Sequence, residues 1–223
     1  MRLAIIVPVR NEAVGLARFL DTLQPLRKQG TTVVVVDGGS SDATASIAAP
    51  LCDALLRAPA GRAGQMNAGA RHGDASVFLF LHADTLLPVG AVPQIENAIN
   101  SGALWGRFDV TILGRSRWLP IIGAMMNLRS RCTGIATGDQ ALFVRKNTFD
   151  SLGGYADLAL MEDIALCKRL RALAWPACLS ARVQTSGRRW DERGALRTIL
   201  LMWNLRWRYW RGEPVQELAK AYL

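Results

Sequence analysis

Short apolar runs that end abruptly in polar residues constrain the fold of this chain more than any other feature. They are Leu3 to Val9, Thr31 to Val36 and Val77 to Leu81. Each run has the length of a buried strand and is too short to be a membrane-spanning helix. Uninterrupted apolar strands are typical of parallel sheets that are covered on both faces. The first half of the chain is therefore predicted to form a parallel sheet.

Segments in which apolar residues recur at helical spacing separate these predicted strands. Between Ala13 and Leu26, apolar residues recur three and four positions apart, and shorter helices are predicted at 43–49 and 65–71. An alternation of strands and helices favours crossover connections, which place helices on the faces of the sheet. The predicted fold class is α/β, with a mostly parallel central sheet flanked by helices.

The second half of the chain is less regular. Strands are predicted at 104–113 and 140–144, and helices at 119–131, 161–173 and 195–210. Because neither a repeat nor a low-complexity linker interrupts the chain, we expect one domain over residues 1–223. Its parts are a regular half at about 1–100, an irregular half at about 101–194 and a helical tail at about 195–223.

Polar loops follow the apolar strands at the points where the strands end. They are Arg10 to Glu12, Asp37 to Asp42 and His82 to Asp84. Ligands bind at the carboxyl ends of strands in open parallel sheets, so these loops predict a site at one sheet edge. Asp42 also suits the N-cap of the next helix, whereas Asp37 lies on the strand end, upstream of that cap.

The charge balance is strongly basic. The chain has 27 Lys and Arg against 18 Asp and Glu, a formal net charge of +9. This surplus favours anionic partners, such as phosphate-bearing small molecules, nucleic acid or an acidic membrane surface. A surface charge that only keeps the protein soluble is the alternative.

Cysteine usage and the amino terminus predict the compartment. The four cysteines form no C-x-x-C pair, so neither a zinc site nor a disulfide framework is indicated. The apolar amino-terminal segment is only as long as a strand and lacks the features of a signal peptide. We expect a cytoplasmic protein that is soluble or peripheral on the inner face of the membrane.

A glycine-rich segment spans residues 60–70. It is neither a P-loop nor a G-x-G-x-x-G fingerprint, because it lacks the required lysine and glycine spacing. Gly61 and Gly64 would still allow the backbone to approach a phosphate, and Arg62 adds a positive charge near a helix start.

Six segments, in this order, together resemble family 2 glycosyltransferases over residues 3 to about 193. They read "IIVPVRNEA", "VVVVDGGSSDAT", "GRAGQMNAGA", "FLHADT", "GDQALFVRK" and "MEDIALCKRLR". The chain is most similar to short bacterial members associated with arsenosugar biosynthesis or radical-SAM enzymes. The resemblance implies the GT-A fold, a nucleotide-sugar donor, a divalent metal ion (Mn²⁺ or Mg²⁺), and inversion at the anomeric carbon. It also implies that the first half binds the donor and the second half binds the acceptor.

The resemblance also assigns roles to individual positions. Asp84 matches the last carboxylate of the D-x-D metal motif, and Asp163 matches the catalytic base. The positions that match donor-binding residues are Pro8, Arg10, Glu12, Asp37, Arg62, Asn67 and Asp84. The positions expected on the acceptor side are Gly138, Asp139, Gln140, Glu162, Arg189 and Trp190.

The chemistry of the reaction agrees with two separate carboxylates. A divalent ion neutralises the charge that develops on a leaving nucleoside diphosphate, and Asp84 could bind it. A second carboxylate, Asp163, would take the proton of the acceptor hydroxyl from the opposite face of the sugar. Acids at the start of a helix also complement the helix dipole, which is the alternative role for Glu162 and Asp163.

The chain departs from the family pattern at two places. His82 stands where the first aspartate of D-x-D is common, and it could ligate the metal, support its ligands or bind the diphosphate. The later Q-x-x-R-W motif lacks its glutamine but keeps Arg189 and Trp190. Because that motif belongs mainly to processive synthases, we expect a single transfer to a small-molecule or lipid acceptor.

The tail is basic and rich in tryptophan. From Arg182 onward it holds nine Lys and Arg against four Asp and Glu. One helical stripe comprises Leu196, Leu200, Trp203, Trp207 and Trp210, with Arg206, Arg208 and Arg211 around it. Residues 195–211 could lie on an anionic membrane surface, pack on the domain as core, or form a homodimer contact. Nucleic-acid binding is not expected, because no nucleic-acid-binding module accompanies the charge.

Two other functions fit parts of the pattern. A nucleotidyltransferase also pairs a parallel sheet with a nucleotide and a metal, but it needs a lysine-containing glycine-rich loop after the first strand. A non-catalytic, membrane-peripheral protein that keeps the fold is the second. The predicted function is an inverting, metal-dependent glycosyltransferase of hexosyltransferase type.

Overall fold

The computed structural model describes residues 1–222 and is built around one mixed sheet. The last residue of the predicted tail, Leu223, lies outside the described part. The strands are β1 Leu3–Val9, β2 Thr32–Asp37, β3 Ala54–Arg57, β4 Val77–Phe80, β5 Thr85–Leu86, β6 Trp105–Leu113, β7 Leu142–Arg145 and β8 Ala177–Ser186. They lie in the order β3-β2-β1-β4-β7-β6-β8-β5.

Strand directions divide the sheet into two parts. Strands β3, β2, β1 and β4 are parallel to one another, with Ile5 opposite both Val33 and Leu79. Strand β7 is antiparallel to both of its neighbours, β4 and β6, whereas β6 and β8 run parallel. The α/β class is confirmed, with a mixed sheet whose amino-terminal half is the predicted parallel unit.

Helices cover both faces of the sheet. Their bounds are α1 Ala13–Lys28, α2 Thr44–Ala48, α3 Arg62–Ala70, α4 Ala91–Asn100, α5 Leu119–Thr133, α6 Lys146–Ser151, α7 Glu162–Leu173, α8 Arg188–Arg193, α9 Ala195–Trp210 and α10 Val215–Tyr222. Short 3-10 turns occupy Ala49–Leu51 and Gly138–Gln140.

The pleat of β1 divides its side chains between two apolar cores. Ile5 and Val7 join the core that contains Leu16 and Leu20 of α1, whereas Ile6 joins the core under α3. Successive side chains of a strand point to opposite faces, so a strand that is buried throughout needs a helix on each side. This explains why the apolar run shows no polar alternation.

The predicted elements differ from the observed ones mainly where the sequence is polar. Strand β8 was not predicted, because exposed polar residues such as Arg182 and Gln184 interrupt its pattern; pairing along β6 stabilises it instead. The strand predicted at 140–144 begins only at Leu142, because Gln140 belongs to the 3-10 turn. Helix α4 lies in a part of the chain for which no helix was predicted.

An ion-pair network lies inside the second half of the sheet. Arg107 is fully buried and pairs with Asp109, which also accepts a hydrogen bond from Arg131 at 2.7 Å. The register of β6 against β8 shifts between Phe108 and Asp109. Each charge of the buried pair faces an opposite charge, although Arg107 Nε has no hydrogen-bond partner among the described residues. Removing one member alone would leave an uncompensated buried charge, so the network has a structural role in the irregular half.

The tail forms α9 and α10, which pack on each other. Leu205 and Leu218 form a small core with Met161 and Ile164, next to the start of α7. One side of α9 is thus buried on the domain. Within residues 1–222, no helix is both long and apolar enough to cross a membrane.

Candidate functional site

The loops after β1 and β2 are tied together at one edge of the sheet. The Asn11 N–H donates to the Ser40 hydroxyl at 2.9 Å, and the Ser41 N–H donates to the Asn11 side-chain oxygen at 2.9 Å. The Glu12 N–H donates to the Thr44 hydroxyl at 2.8 Å. Asn11 has a φ of 53°, a conformation in which Asn is favoured among non-glycine residues. These contacts bring the predicted donor loops together.

The two aspartates of the second loop have different surroundings. Asp37 is 2% exposed, and its carboxylate accepts hydrogen bonds from the Ser40 N–H and hydroxyl. Asp42 is exposed and accepts from Thr44 N at 3.0 Å and Ala13 N at 3.2 Å, so it caps two helix starts. The hydrogen bond from the Thr44 side chain lowers the pKa of Asp42. Asp37, Ser40, Asp42 and Arg57 line a shallow cleft.

Pro8 and Arg10 are placed differently from the rest of the first loop. Pro8 lies within β1, buried and opposite Val36, whereas Arg10 is exposed beyond the strand end. Of these two residues, only Arg10 is placed to reach a ligand with its side chain. Pro8 instead shapes the backbone that carries the loop.

Gln65 on α3 was not predicted as a site residue, yet it holds this edge together. Its side-chain amide donates to Val9 O at 2.8 Å and to Val36 O at 2.7 Å, at the ends of β1 and β2. A Cβ on Gly38 would come within 3.0 Å of the Gln65 amide. Gln65 is the first residue of the predicted helix 65–71, and the sequence around this neutral amide held no sign that it is buried.

Arg62 and Asn67 lie on the same helix but face different partners. The Arg62 side chain reaches the surface, but the protein around it partly desolvates the guanidinium, which lowers its pKa. The charges of Glu162 and Asp139 outweigh this effect, so the pKa of Arg62 is raised overall. The Asn67 amide donates to Tyr155 O at 2.8 Å and accepts from Tyr155 N at 2.9 Å. Both polar groups of Asn67 therefore bind the loop before α7, and Arg62 is the residue of this helix that faces the cleft.

Asp84 is exposed beyond the end of β4. Its backbone oxygen accepts from Ser186 N at 3.2 Å, and its carboxylate accepts from the Thr85 hydroxyl at 3.3 Å. The pKa of Glu12 is raised, first by burial and further by the nearby charge of Asp84, while Arg188 and Arg62 oppose the shift. Glu12, Asp84, Arg62 and Arg188 thus surround one region.

Arg188 is the second site residue that sequence reasoning missed. It precedes the retained Arg189 and Trp190, so its position beside a family motif was the available signal. It is exposed, and its charge acts on Glu12 on the donor side.

His82 and Asp139 contact each other at the cleft. His82 Nδ1 lies 3.4 Å from Asp139 Oδ1, and a Cβ on Gly138 would collide with the imidazole. Burial raises the pKa of Asp139, but the hydrogen bond and charge of His82, together with Arg62 and Arg189, lower it overall. The turn at 138–140 and the end of β4 are therefore in direct contact.

Asp163 is held by that same turn. Its Oδ2 accepts from Gly138 N at 2.9 Å, and its Oδ1 accepts from Ile164 N at 2.7 Å. The preceding Glu162 is buried, and burial together with the charge of Asp163 raises its pKa. Met161, before both, has a φ of 66°, an unfavourable conformation for a long side chain. Strained backbone next to a carboxylate pair is typical of functional sites.

Gln140 lies in the core rather than in the cleft. It is 0% exposed, completes a capping box with Thr137, and donates to the Ser130 hydroxyl at 3.1 Å. The residue after it, Ala141, also has a positive φ of 47°. Gln140 thus supports the turn that carries Gly138 and Asp139, and its side chain does not reach a ligand.

Arg189 and Trp190 connect the site to the tail. The Arg189 guanidinium lies 4.0 Å from the centre of the Tyr222 ring, and Trp190 packs on the main core. Burial raises the pKa of Tyr222, against the charges of Arg189 and Arg62. The end of α10 therefore lies beside the cleft, which the sequence did not predict.

The residues at the end of β4 fit a metal that is shared with a substrate. Within residues 1–222, no group of three or more His, Cys, Asp and Glu is placed to hold a metal by itself. Mg²⁺ and similar hard cations are commonly bound by one or two carboxylates together with substrate phosphates and water. The exposed carboxylate of Asp84, near Arg62, is suited to that arrangement.

Comparison with known proteins identifies the family. The sequence pattern of the family described as Glycosyl transferase family 2 matches residues 4–149, more than half of the chain. A comparison with curated proteins found no match.

Several solved structures have the same fold. S. aureus TarS residues 1–349 superposes with a TM-score of 0.68 at 19% identity, covering 83% of this chain and 60% of that one. The same fragment in complex with UDP-GlcNAc gives a TM-score of 0.67 at 18% identity, covering 83% of this chain and 58% of that chain. This chain therefore spans about 60% of the length of that TarS fragment.

Two further neighbours were solved with Mn²⁺ and nucleotides. Mannosyltransferase PcManGT from Pyrobaculum calidifontis, in complex with GDP-Man and Mn²⁺, has a TM-score of 0.62 at 22% identity, covering 82% of this chain and 56% of that one. Glucosyl-3-phosphoglycerate synthase from Mycobacterium tuberculosis was solved with Mn²⁺, UDP and glucosyl-3-phosphoglycerate. It has a TM-score of 0.61 at 16% identity, covering 82% of this chain and 70% of that one. The fold is GT-A, and the chain belongs to the family 2 glycosyltransferases.

Proposed function

We propose that this glycosyltransferase inverts the anomeric carbon as it moves a hexosyl group from a nucleotide-sugar to a small-molecule or lipid acceptor, with the help of a divalent metal. One observation carries the proposal. The Gly138–Gln140 turn holds the Asp163 carboxylate and also contacts His82, two residues from Asp84. A carboxylate suited to metal and a carboxylate suited to proton transfer therefore border one cleft.

The donor would occupy the edge formed by β1, β2 and α3. The nucleoside lies in the cleft of Asp37 and Ser40, and the diphosphate extends toward Arg62 and Asp84. Neighbours of the same fold were solved with UDP-GlcNAc and with GDP-Man. Glu12 and Arg10 border the same loop, while Pro8 and Asn67 position the backbone around it.

Asp84 would hold Mn²⁺ or Mg²⁺, with the remaining ligands from the diphosphate and water. When bound, the ion neutralises charge on the leaving diphosphate. His82 acts beside it by orienting Asp139, which is the role its 3.4 Å contact supports; direct ligation by His82 stays a prediction. Arg62 adds a fixed positive charge to the same region.

Asp163 would take the acceptor proton. Its two backbone hydrogen bonds hold the carboxylate in one orientation, so little conformational entropy is lost when it accepts a proton. Attack from this side, opposite the diphosphate, inverts the anomeric carbon. Glu162, Asp139, Gly138, Arg189 and Trp190 surround the acceptor side, and the buried Gln140 supports it.

Donor hydrolysis tests the function. The wild type, given a panel of UDP- and GDP-sugars with Mn²⁺, is expected to hydrolyse at least one donor slowly, as the acceptor hydroxyl is replaced by water. Asp84→Ala should abolish this hydrolysis, and Arg182→Gln, an exposed change on β8, should not. Hydrolysis that survives in Asp84→Ala would contradict the role of Asp84, and no hydrolysis of any donor would favour the non-catalytic alternative.

We also propose that the enzyme works at an anionic membrane surface, on the cytoplasmic face. Leu196, Leu200, Trp203, Trp207 and Trp210 form one stripe of α9, and each is more than half exposed. A second exposed stripe comprises Trp118, which directly precedes α5, and Ile121, Met125 and Leu128 on α5. Arg197 and Arg211 lie beside the first stripe, and their positive charges complement anionic headgroups.

A further inference from the structure

Two of the three guanidinium nitrogens of Arg129, a half-buried residue on α5, are buried without a partner. Its Nε and Nη2 atoms are inaccessible to solvent and form no hydrogen bond within residues 1–222. The great majority of buried polar side-chain atoms have a hydrogen-bond partner, so each exception calls for a physical reason. A charged group in this state is costly for the free protein.

A second arginine, Arg206 on α9, lies on the same side of the domain. Its neighbour Leu205 packs on Met161 and Ile164, which flank Asp163, while Ser130, next to Arg129, accepts a hydrogen bond from Gln140 at 3.1 Å. Arg206 is half-buried, and its positive charge adds to burial in lowering the pKa of Arg129 to about 10. Burial also lowers the pKa of Arg206. Two guanidinium groups that repel each other next to a cleft form a site whose natural complement is an oxyanion.

The pair lies on the base side of the cleft. The acids that act most on Arg129 and Arg206 are Asp163 and Asp139, whereas Glu12 on the donor side senses Asp84, Arg62 and Arg188. The hydrogen bonds of the Asp163 carboxylate come from Gly138 N and Ile164 N, so it does not engage Arg129. Arg129 therefore lies next to the turn that carries Asp139 and holds Asp163, because its neighbour Ser130 accepts a hydrogen bond from Gln140 of that turn.

A third arginine has the same property. Arg189 Nη1 is also buried without a hydrogen-bond partner, while its guanidinium stacks on Tyr222. Arg189 is near Asp139, whose pKa it helps to lower. Arg107 Nε, inside the sheet, is also buried without a partner, but Arg129 and Arg189 are the two such arginines whose charges act on Asp139.

We propose that Arg129 and Arg206 form an oxyanion subsite for a phosphate group carried by the acceptor. The acceptor is then a hydroxyl compound that also bears a phosphate, either a small molecule or a lipid headgroup. This inference rests on the proposed function, since it takes Asp163 as the base. The phosphate positions the hydroxyl next to Asp163 and remains unchanged in the transfer.

The experiment measures phosphate binding with the donor site filled. Thermal shifts and calorimetry are recorded in the presence of saturating UDP and Mn²⁺. The added compound is inorganic phosphate, glycerol 3-phosphate or glycerol, which is the uncharged control for glycerol 3-phosphate. We expect the wild type to bind both phosphates and not glycerol. Arg129→Met and Arg206→Met should each weaken phosphate binding about tenfold or more, because a charge-assisted hydrogen-bond donor is lost. Arg182→Gln is the matched control and should bind as the wild type does.

Stability gives an independent readout. Methionine keeps the apolar stem of Arg129 and removes the buried charge, so Arg129→Met should raise the melting temperature of the ligand-free protein by about 2–4 °C. A structural arginine would show the opposite change. Wild type that binds no phosphate, or phosphate binding that is equal in wild type and both methionine variants, would overturn the proposal.

Two arms separate this inference from the function on which it rests. Metal-dependent UDP binding without any phosphate binding would overturn the subsite alone. Phosphate binding that depends on Arg129, together with no nucleotide binding, would instead contradict the proposed transferase chemistry. If phosphatidic acid vesicles bind in an Arg129-dependent way and glycerol 3-phosphate does not bind, the phosphate belongs to a lipid acceptor.

Discussion

At Asp163, two backbone N–H groups fix the orientation of a single carboxylate. Gly138 N and Ile164 N donate to its two oxygens at 2.9 and 2.7 Å, so its orientation depends on the turn at 138–140 and on the start of α7. Gly138 can have no side chain there because a Cβ would strike His82. The sequence predicted Asp163 through its family resemblance, but it could not predict this support, since both contacts are made by backbone.

Replacing the proposed base should separate binding from transfer. Asp163→Asn keeps the shape of the side chain and can no longer accept the acceptor proton. We expect transfer to fall by about 10²–10⁴-fold with donor affinity within a few-fold of wild type, as for loss of a general base. Transfer rates and nucleotide titration measure the two effects; wild-type transfer by Asp163→Asn would remove it as the base.

Glu162 should make stability depend on pH. Burial and the charge of Asp163 raise its pKa above 4.5, so folding favours the protonated carboxyl and the ionised form destabilises the fold. As pH rises from below 4.5 through the folded-state pKa, the stabilising contribution of the protonated form is lost. Glu162→Gln should therefore unfold at a higher temperature than wild type near pH 7, and the difference should vanish below pH 4.5.

Thermal unfolding across that pH range measures the effect. Asp150→Asn, an exposed change on α6, is the control and should show no such pH dependence of similar size. A Glu162→Gln protein that is less stable than wild type at pH 7 would show that the ionised carboxylate stabilises the fold.

At the scale of elements, α3 connects the parallel strands to the site. Gln65 is central to this, because its amide donates to the carbonyls at the ends of β1 and β2. Gln65→Leu would remove that donor from both carbonyls, of which Val9 O keeps the Gly38 N–H at 2.9 Å, at a cost of about 1–3 kcal/mol. Denaturant unfolding measures the loss, with Gln94→Leu, a half-buried glutamine of α4 whose amide makes one long hydrogen bond to Gly90 O at 3.3 Å, as the control. A loss below about 0.5 kcal/mol would mean that water or a shifted side chain replaces the amide.

The elements that sequence reasoning predicted well are those with a clear local apolar pattern, either an uninterrupted strand such as β1 or a helix with apolar residues at helical spacing. The bounds of α9 were predicted as 195–210, and those of α7 within one residue. Strand β8 and the contact of Tyr222 with Arg189 were missed, because pairing with β6 and tail packing depend on distant residues. Among site residues, charged side chains after strands were identified, whereas the neutral Gln65 gave no comparable signal.

At the scale of the whole molecule, the exposed stripes and the net charge of +9 predict membrane association. Sedimentation with vesicles should show binding to phosphatidylglycerol-containing vesicles and little to purely phosphatidylcholine vesicles, with salt weakening it. Trp203→Ser with Trp207→Ser should reduce binding at least several-fold. Unchanged vesicle binding by this double variant, or a concentration-dependent dimer that the variant disrupts, would contradict membrane docking by α9.

The central claim is that Asp84 and a divalent ion together bind the diphosphate of a nucleotide-sugar. The most direct measurement is the melting temperature with UDP-GlcNAc, UDP-glucose and GDP-mannose, each with Mn²⁺ and with EDTA, for wild type and Asp84→Asn. At least one nucleotide-sugar is expected to stabilise the wild type only with Mn²⁺, and Asp84→Asn is expected to lose this shift. Stabilisation that is equal with EDTA, or equal in Asp84→Asn, would contradict the central claim.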